Sequence, residues 1–259
     1  MISMNQAARE AKRSVHLALL FVGFALLVAS ALGTPSAPQV TIISNETSNA
    51  TGTGTLVSET GHTGGRIITM NLDAVQQNIH WKAYAGNVTG SYILEDASGY
   101  SIYEWAASSV TGEVYATRVD SVGWTTLQCA NVTNVKWEEQ DFNHSAANNP
   151  DDRINVTFFE SINHRQFSVG DLAFAADQCN YSIRTYVNDT AQTGTAFFDE
   201  IMLYDGNTNN SVYVSLIENS QWGYRNDSRR YDYQILVPEN ASLGLAATAT
   251  PFYFYAELT

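Results

Sequence analysis

The sequence is poor in several things at once. It has two cysteines, five prolines and 13 Lys+Arg in 259 residues, and 15% of its residues are charged. So few cations, spread thinly, form no basic stripe able to neutralise a phosphate backbone, which argues against nucleic-acid binding. No GxSxG, GxxxxGK[ST], HExxH or CxxC run occurs, and no Gly-rich dinucleotide turn. His16, His62, His80, His144 and His164 stand apart from one another, without the short spacing of a metal-binding motif. Glu, Lys and Arg, which dress helix surfaces, are scarce; Ser, Thr, Asn, Gly and Tyr carry the polarity and suit strands and turns. The net charge of −13 is a solubility device, or suits a cation-rich surrounding.

What is present begins at the N-terminus. Arg9, Lys12 and Arg13 precede residues 17–33 (LALLFVGFALLVASALG), which contain no charge. As a helix this run is roughly 25 Å long, between a signal-peptide core and a membrane span. Ala29, Ala31 and Gly33 offer processing sites, and Pro35 and Pro38 end the helix. The next basic residue is Arg66, so the flanking charge predicts that the chain beyond residue 34 is translocated outward. A buried core helix is the competing reading. Residues 1–33 are thus a signal peptide or membrane anchor.

Two further features agree with an extracytoplasmic location. Cys129 and Cys179 are an even pair fifty residues apart, suited to one disulfide in an oxidising compartment; two buried thiols are the alternative. Asn-X-Ser/Thr sequons begin at Asn45, Asn49, Asn87, Asn131, Asn143, Asn155, Asn180, Asn188, Asn209, Asn226 and Asn240. These are 11 of 21 Asn, where the Ser and Thr content gives about four by chance. Glycans attach to accessible Asn on a translocated chain, so the excess predicts a glycoprotein.

Residues 34–65, with the run TGTGTLVSETGHTGG, read as a flexible linker. Within it, residues 40–43 (VTII) are a short β-prone patch able to add to a neighbour's sheet edge. Residues 66–259 read as all-β: an antiparallel β-sandwich behind an N-terminal hydrophobic helix, as one body or two packed β subdomains. Strands are predicted at 66–73, 90–95, 100–105, 113–119, 154–160, 183–187, 196–204, 211–218, 231–237 and 252–258. Asp96 to Gly99 turn a hairpin between the second and third of these, and residues 135–142 (VKWEEQDF) suggest one short helix. In the closing strand, Phe252 and Phe254 should face inward and Tyr253 and Tyr255 outward.

Candidate chemistry is sparse. Glu95, Asp96 and Glu104 near Trp105, and Glu138, Glu139 and Asp141 near Trp137, set acids beside aromatics as a glycosidase does. Turn and strand-edge carboxylates have the same look. Residues 148–152 (NNPDD) and 205–210 (DGNTNN) concentrate the oxygens Ca²⁺ prefers, although Asn, Asp and Gly build ordinary turns equally well; no cofactor is otherwise implied. Trp81, Trp105, Trp124, Trp137 and Trp222 stack on sugars if exposed; core burial is the commoner fate.

The run WKAYAGNVTGSYILEDASGYSIYEWAASSVTGEVYATR at 81–118 resembles a group of uncharacterised exported cell-surface proteins of archaea. They carry a W-x-x-Y-x-G-N-V-T-G hairpin, a Trp and a G-E-V-Y-A segment. Cys179, FDEIMLY at 198–204 and the closing FYFYAEL are similar too. The likeness implies a surface location and no reaction. Residues after Lys12-Arg13 also resemble the start of pilin-like subunits, with Ser14, Pro35 and Pro38 as departures. The sequence therefore points to a non-enzymatic surface glycoprotein, structural or interacting in the envelope or a filament. It would be held at the membrane by its N-terminal segment, with other subunits as partners. A carbohydrate-binding adhesin is the alternative, and a secreted hydrolase stands third.

Overall fold

The computed structural model describes Pro35 and residues 78–259, except 108, 148–149, 159–163, 193–197, 226 and 241–249. The hydrophobic run 17–33, the patch at 40–43, the strand expected at 66–73 and the sequons at Asn45, Asn49 and Asn226 lie outside the described residues. Among the described residues no helix is long and apolar enough to cross a membrane.

The described chain is mostly β and every strand pairing is antiparallel. In order the strands are β1 (Trp81–Gly86), β2 (Ser91–Glu95), β3 (Ser101–Ala106), β4 (Gly112–Thr117), β5 (Leu127–Cys129), β6 (Phe167–Val169) and β7 (Leu172–Phe174). They continue as β8 (Ser182–Arg184), β9 (Asp199–Asp205), β10 (Asn210–Leu216), β11 (Gln221–Trp222), β12 (Arg230–Tyr231), β13 (Tyr233–Pro238) and β14 (Tyr253–Leu258). Two helices, α1 (Val132–Asp141) and α2 (Ile154–Thr157), lie between β5 and β6. The central sheet runs β14-β4-β10-β9-β5, with β8 also on β9.

This sheet is buried on both faces, which is why β9 and β10 carry nearly continuous apolar runs instead of clean alternation. One face bears Ala116, Met202, Tyr204 and Tyr213, packed against Ile235 and Val237 of β13, Val135 of α1 and Ile154 of α2. The opposite face bears Tyr115, Ile201, Leu203, Val212, Val214 and Leu216, covered by Phe167, Val169, Phe174 and Cys179. Phe254 packs on the first core and Tyr253 is exposed, as alternation requires, but Tyr255 packs on the second core against Trp124. The tyrosine face of β14 is therefore partly covered at this position because the sheet has two cores.

Three sequence expectations need correction. The pattern at residues 154–160 predicts a strand, but Ile154–Thr157 form a helical turn. Ile154 and Phe158 are four residues apart, so one turn aims both into the first core, while Glu139 Oε1 accepts from the Asn155 N–H at 2.8 Å. The helix expected from residue 135 begins earlier, because Asn131 caps it. Its Oδ1 accepts from Thr133 and Asn134 N–H, and Asn134 Oδ1 returns a bond to the Asn131 N–H. Lastly, the W-x-x-Y-x-G-N-V-T-G run does not form a hairpin with the adjacent segment: β1 pairs with β13, far along the chain, in the register Tyr84↔Ile235. The hairpin at this point is β2–β3.

Candidate functional site

The hairpin arises from local chemistry. Asp96 Oδ1 accepts from Ser98 and Tyr100 N–H, and Gly99 takes φ 81°, a value that favours glycine. The base is fixed where Gly90 presses on Leu258 of β14 and accepts from the Ala107 N–H at 3.2 Å. Beyond that base, β2 and β3 pair only with each other. Tyr92 lies opposite Trp105 and Leu94 opposite Tyr103, so these four share one face. Ile93, Glu104 and Ile102 alternate onto the other. All are exposed, Tyr103 by 59%, Ile102 by 79% and Tyr100 near the tip by 75%. A shallow recess at the tip is lined by Leu94, Glu95, Asp96, Tyr100, Ser101 and Ile102.

At the end of the central sheet beside that base, acids line up across strands on the second-core face. Glu257 of β14 is opposite Glu113 of β4, which is opposite Leu216 of β10; Asp199 of β9 is opposite Arg184 of β8. Glu113 and Glu257 are each 5% exposed. The Gly170 N–H in the β6–β7 turn donates to both Glu257 oxygens at 3.0 Å, and Tyr115 Oη donates to Oε2 at 2.9 Å. Glu113 keeps one buried oxygen, Oε2, without a hydrogen-bond partner. Burial first, and then the Glu257 charge, push the Glu113 carboxyl up to about 8. Arg165 pairs with Glu218 and, at 3.7 Å, with Asp199, which Arg184 approaches to 3.3 Å. Glu218 is pushed up to about 7, by burial foremost, against the pull of Arg165. Glu113 and Glu218 therefore take up a proton more readily than ordinary surface acids. Glu257 lies under the β6–β7 turn with Glu113 buried beside it, both closed off from solvent.

No family model, curated protein or solved structure matches the chain.

The residues singled out in the sequence have varied fates. Cys129 and Cys179 form the disulfide, tying the end of β5 to the segment before β8 with Cα atoms 5.1 Å apart. His164 Nε2 accepts from the Cys179 N–H and its Nδ1 faces the Arg165 carbonyl, so the ring is held as a structural bridge. Of the described sequon residues, Asn87, Asn131, Asn143, Asn180 and Asn209 are exposed and Asn155, Asn188 and Asn240 half-buried; none is buried. The Asn131 cap uses Oδ1 and leaves the amide nitrogen, the atom a glycan needs, outside that contact.

The candidate carboxylates separate into two groups. Glu95, Asp96 and Glu104 are exposed on the hairpin, Asp96 capping its turn. Glu138 is buried, bonded to Arg118 at 2.9 Å and Tyr213 Oη at 3.0 Å; Asp141 shares Arg118, and Glu139 serves α2. These are fold contacts. Asp205, a candidate calcium ligand, accepts from Gly123 N–H, Asn207 N–H, Thr208 Oγ1 and Thr126 Oγ1, a clasp that fastens the β9–β10 turn to the loop before β5. Burial raises its pKa, but these donors overcome that and the net shift is downward. Among the described residues no cluster of His, Cys, Asp and Glu is arranged to hold a metal, and 148–149 lie outside them.

Sequence reasoning missed the acid row. Glu113, Asp199, Glu218 and Glu257 each sit at or just beyond a strand end, where an acid looks like an ordinary surface residue. Their common burial depends on strand register. The tryptophans stand out in the sequence, and their fate differs from the commoner expectation: none is fully buried, and Trp105, Trp137 and Trp222 are exposed.

Proposed function

We propose that this chain is an extracytoplasmic, glycan-bearing surface protein with a non-enzymatic, interaction-based role in the cell envelope or a surface filament. It would be a β-sandwich ectodomain, exported and anchored through the N-terminal hydrophobic helix. The observation that carries this reading is the β2–β3 hairpin, which presents seven large apolar side chains to solvent. An isolated two-stranded hairpin is marginal in water, and an exposed apolar surface of this kind marks a place where something docks. The disulfide supports an oxidising compartment. Accessible sequons are consistent with glycan attachment. Intact mass and N-terminal sequencing of protein purified from its own cells test the compartment. Attached glycan and an intact disulfide are expected; a reduced, unglycosylated cytoplasmic protein would overturn the reading.

One observation favours the adhesin alternative: Tyr92, Tyr103 and Trp105 share a face, and such rings stack on sugars. Binding to a glycan array, lost on Trp105→Ala, would support it. The acid row offers a hydrolase no comparable access.

A further inference from the structure

The hairpin has a charge asymmetry that bears on what covers it. Tyr92, Leu94, Tyr103 and Trp105 make one face without a charged side chain, with the Tyr103 and Trp105 rings packed at a centroid distance of 4.8 Å. Its three acids lie elsewhere: Glu95 and Asp96 at the tip and Glu104 on the opposite face. No Lys or Arg occurs between residues 83 and 117. A charged partner would find nothing on the aromatic face to pair with. A second copy of the same face would meet it without like-charge repulsion, since the acids of two antiparallel hairpins stay apart.

Two other observations point the same way. Residues 90–130 contain no sequon, whereas ten of the 11 sequons lie at 131 or beyond, or in 1–50. The hairpin itself therefore carries no attachment site, and Asn87 lies near its base. The area also fits. Exposed side chains of this size offer roughly 100 Å² each, so the four present on the order of 400 Å² per copy. Two copies then bury on the order of 800 Å², more with Tyr100 at the rim, which is below the standard size of a stable interface and fits a weak, transient contact. The two-fold arrangement is the usual one for such a self-complementary patch.

We infer that the β2–β3 hairpin is a homotypic docking element: two copies of this chain associate reversibly by packing their Tyr92, Leu94, Tyr103 and Trp105 faces together. This rests on the hairpin being an interaction surface, as proposed above, but not on the cellular compartment. An area this small belongs to weak, transient contacts, and the proposed association is a micromolar one.

The test is sedimentation velocity on the full-length chain from about 1 to about 100 µM, a range that brackets micromolar association, with detergent micelles in excess over protein and with face-specific variants. Wild type should be a reversible dimer. Tyr103→Ser with Trp105→Ser should weaken dimerisation at least tenfold, while Ile93→Ser with Ile102→Ser, on the other face, should change it less than threefold. Tyr103→Cys should form a disulfide-linked dimer under mild oxidation and Ile102→Cys should not. Unchanged near-UV circular dichroism of the body confirms folding in each variant. A wild-type monomer at the highest concentration overturns the inference, as does a dimer indifferent to the aromatic pair. If that monomer binds a glycan through Trp105, the face belongs to sugars; if it comes from the cytoplasm without glycans, the surface-protein reading fails instead.

Discussion

Replacing Glu113 by Gln should stabilise the folded protein above pH 5, by an amount that grows with pH. The carboxyl is 5% exposed, opposite Glu257, and titrates at about 8 in the fold against 4.5 when unperturbed. A raised folded pKa means that the native chain holds a proton the unfolded chain has released. Stability from this group is complete below pH 4.5 and declines as pH rises towards 8, by about 1.4 kcal/mol per pH unit. Between pH 5 and 7.5 the loss is on the order of 3 kcal/mol, a large share of the roughly 5–15 kcal/mol that holds a typical domain together. Gln keeps the shape of the protonated acid, with one acceptor and one donor, and cannot ionise. Urea unfolding of wild type and Glu113→Gln at pH 5 and 7.5, both oxidised, gives the answer. The variant should gain at least about 2 kcal/mol relative to wild type between the two pH values, about one molar in midpoint. Glu200 and Glu218 also titrate upward in the fold, but they contribute to both chains and cancel in the difference. Parallel curves, with a constant offset below about 0.5 kcal/mol, would refute the buried-proton reading of the row.

Four further outcomes are expected. Glu200 is fully buried with Oε2 accepting from the Leu236 N–H, and burial raises its pKa well above the ordinary value, so Glu200→Gln should match or exceed wild type at pH 8 by thermal melting. Gly112→Ala should cost about 3 kcal/mol in chemical denaturation, because φ is 131° and a Cβ would come within 2.0 Å of the Glu257 carbonyl oxygen. Cys129→Ala with Cys179→Ala opens a loop spanning 50 residues and should lose about 4 kcal/mol by the same measurement. Asp205→Ala leaves the Gly123 and Asn207 N–H groups and the Thr208 hydroxyl without this acceptor, while Thr126 Oγ1 keeps the Gly123 carbonyl, and should lower stability by about 2–4 kcal/mol; in wild type the clasp weakens as pH falls through its depressed pKa, so the gap narrows in acid.

Much of the strand framework was legible because local signals and tertiary demands agree. Asp96-Ala97-Ser98-Gly99 is turn chemistry whatever surrounds it, and the structure builds the hairpin there. Val212, Val214 and Leu216 alternate on one face of β10 as their sequence pattern required. Where the two levels diverge, the long-range partner decides. Residues 154–158 have the β-branched content of a strand, yet no described strand pairs with them and a helical turn aims Ile154 and Phe158 into the core. The pairing of β1 with β13 cannot be read from either segment, since it joins parts of the chain far apart. The acid row is harder still: four unremarkable carboxylates acquire a common environment only when four strands fall into register.

The hairpin and the acid row are physically connected. The hairpin leaves the central sheet through Gly90 against Leu258, the residue after Glu257, and β4 enters at Gly112, the residue before Glu113. The sheet end that carries the exposed apolar ribbon is therefore the same end at which Glu113 and Glu257 are buried. A protruding two-stranded element gives little rigidity to its own base, so the base must be held from within. Gly112, with its close approach to the Glu257 backbone, and the Gly170 turn bonded to the Glu257 carboxylate supply that hold. If the row is the foundation of the hairpin, loosening it must release the hairpin first. Raising pH should then speed amide exchange in β2, β3 and the β4–β14 ends before it affects β9 and β10, and Glu113→Gln should abolish that order. Uniform acceleration across all strands, after correction for the intrinsic rate, would separate the two features and leave the acids as local packing only.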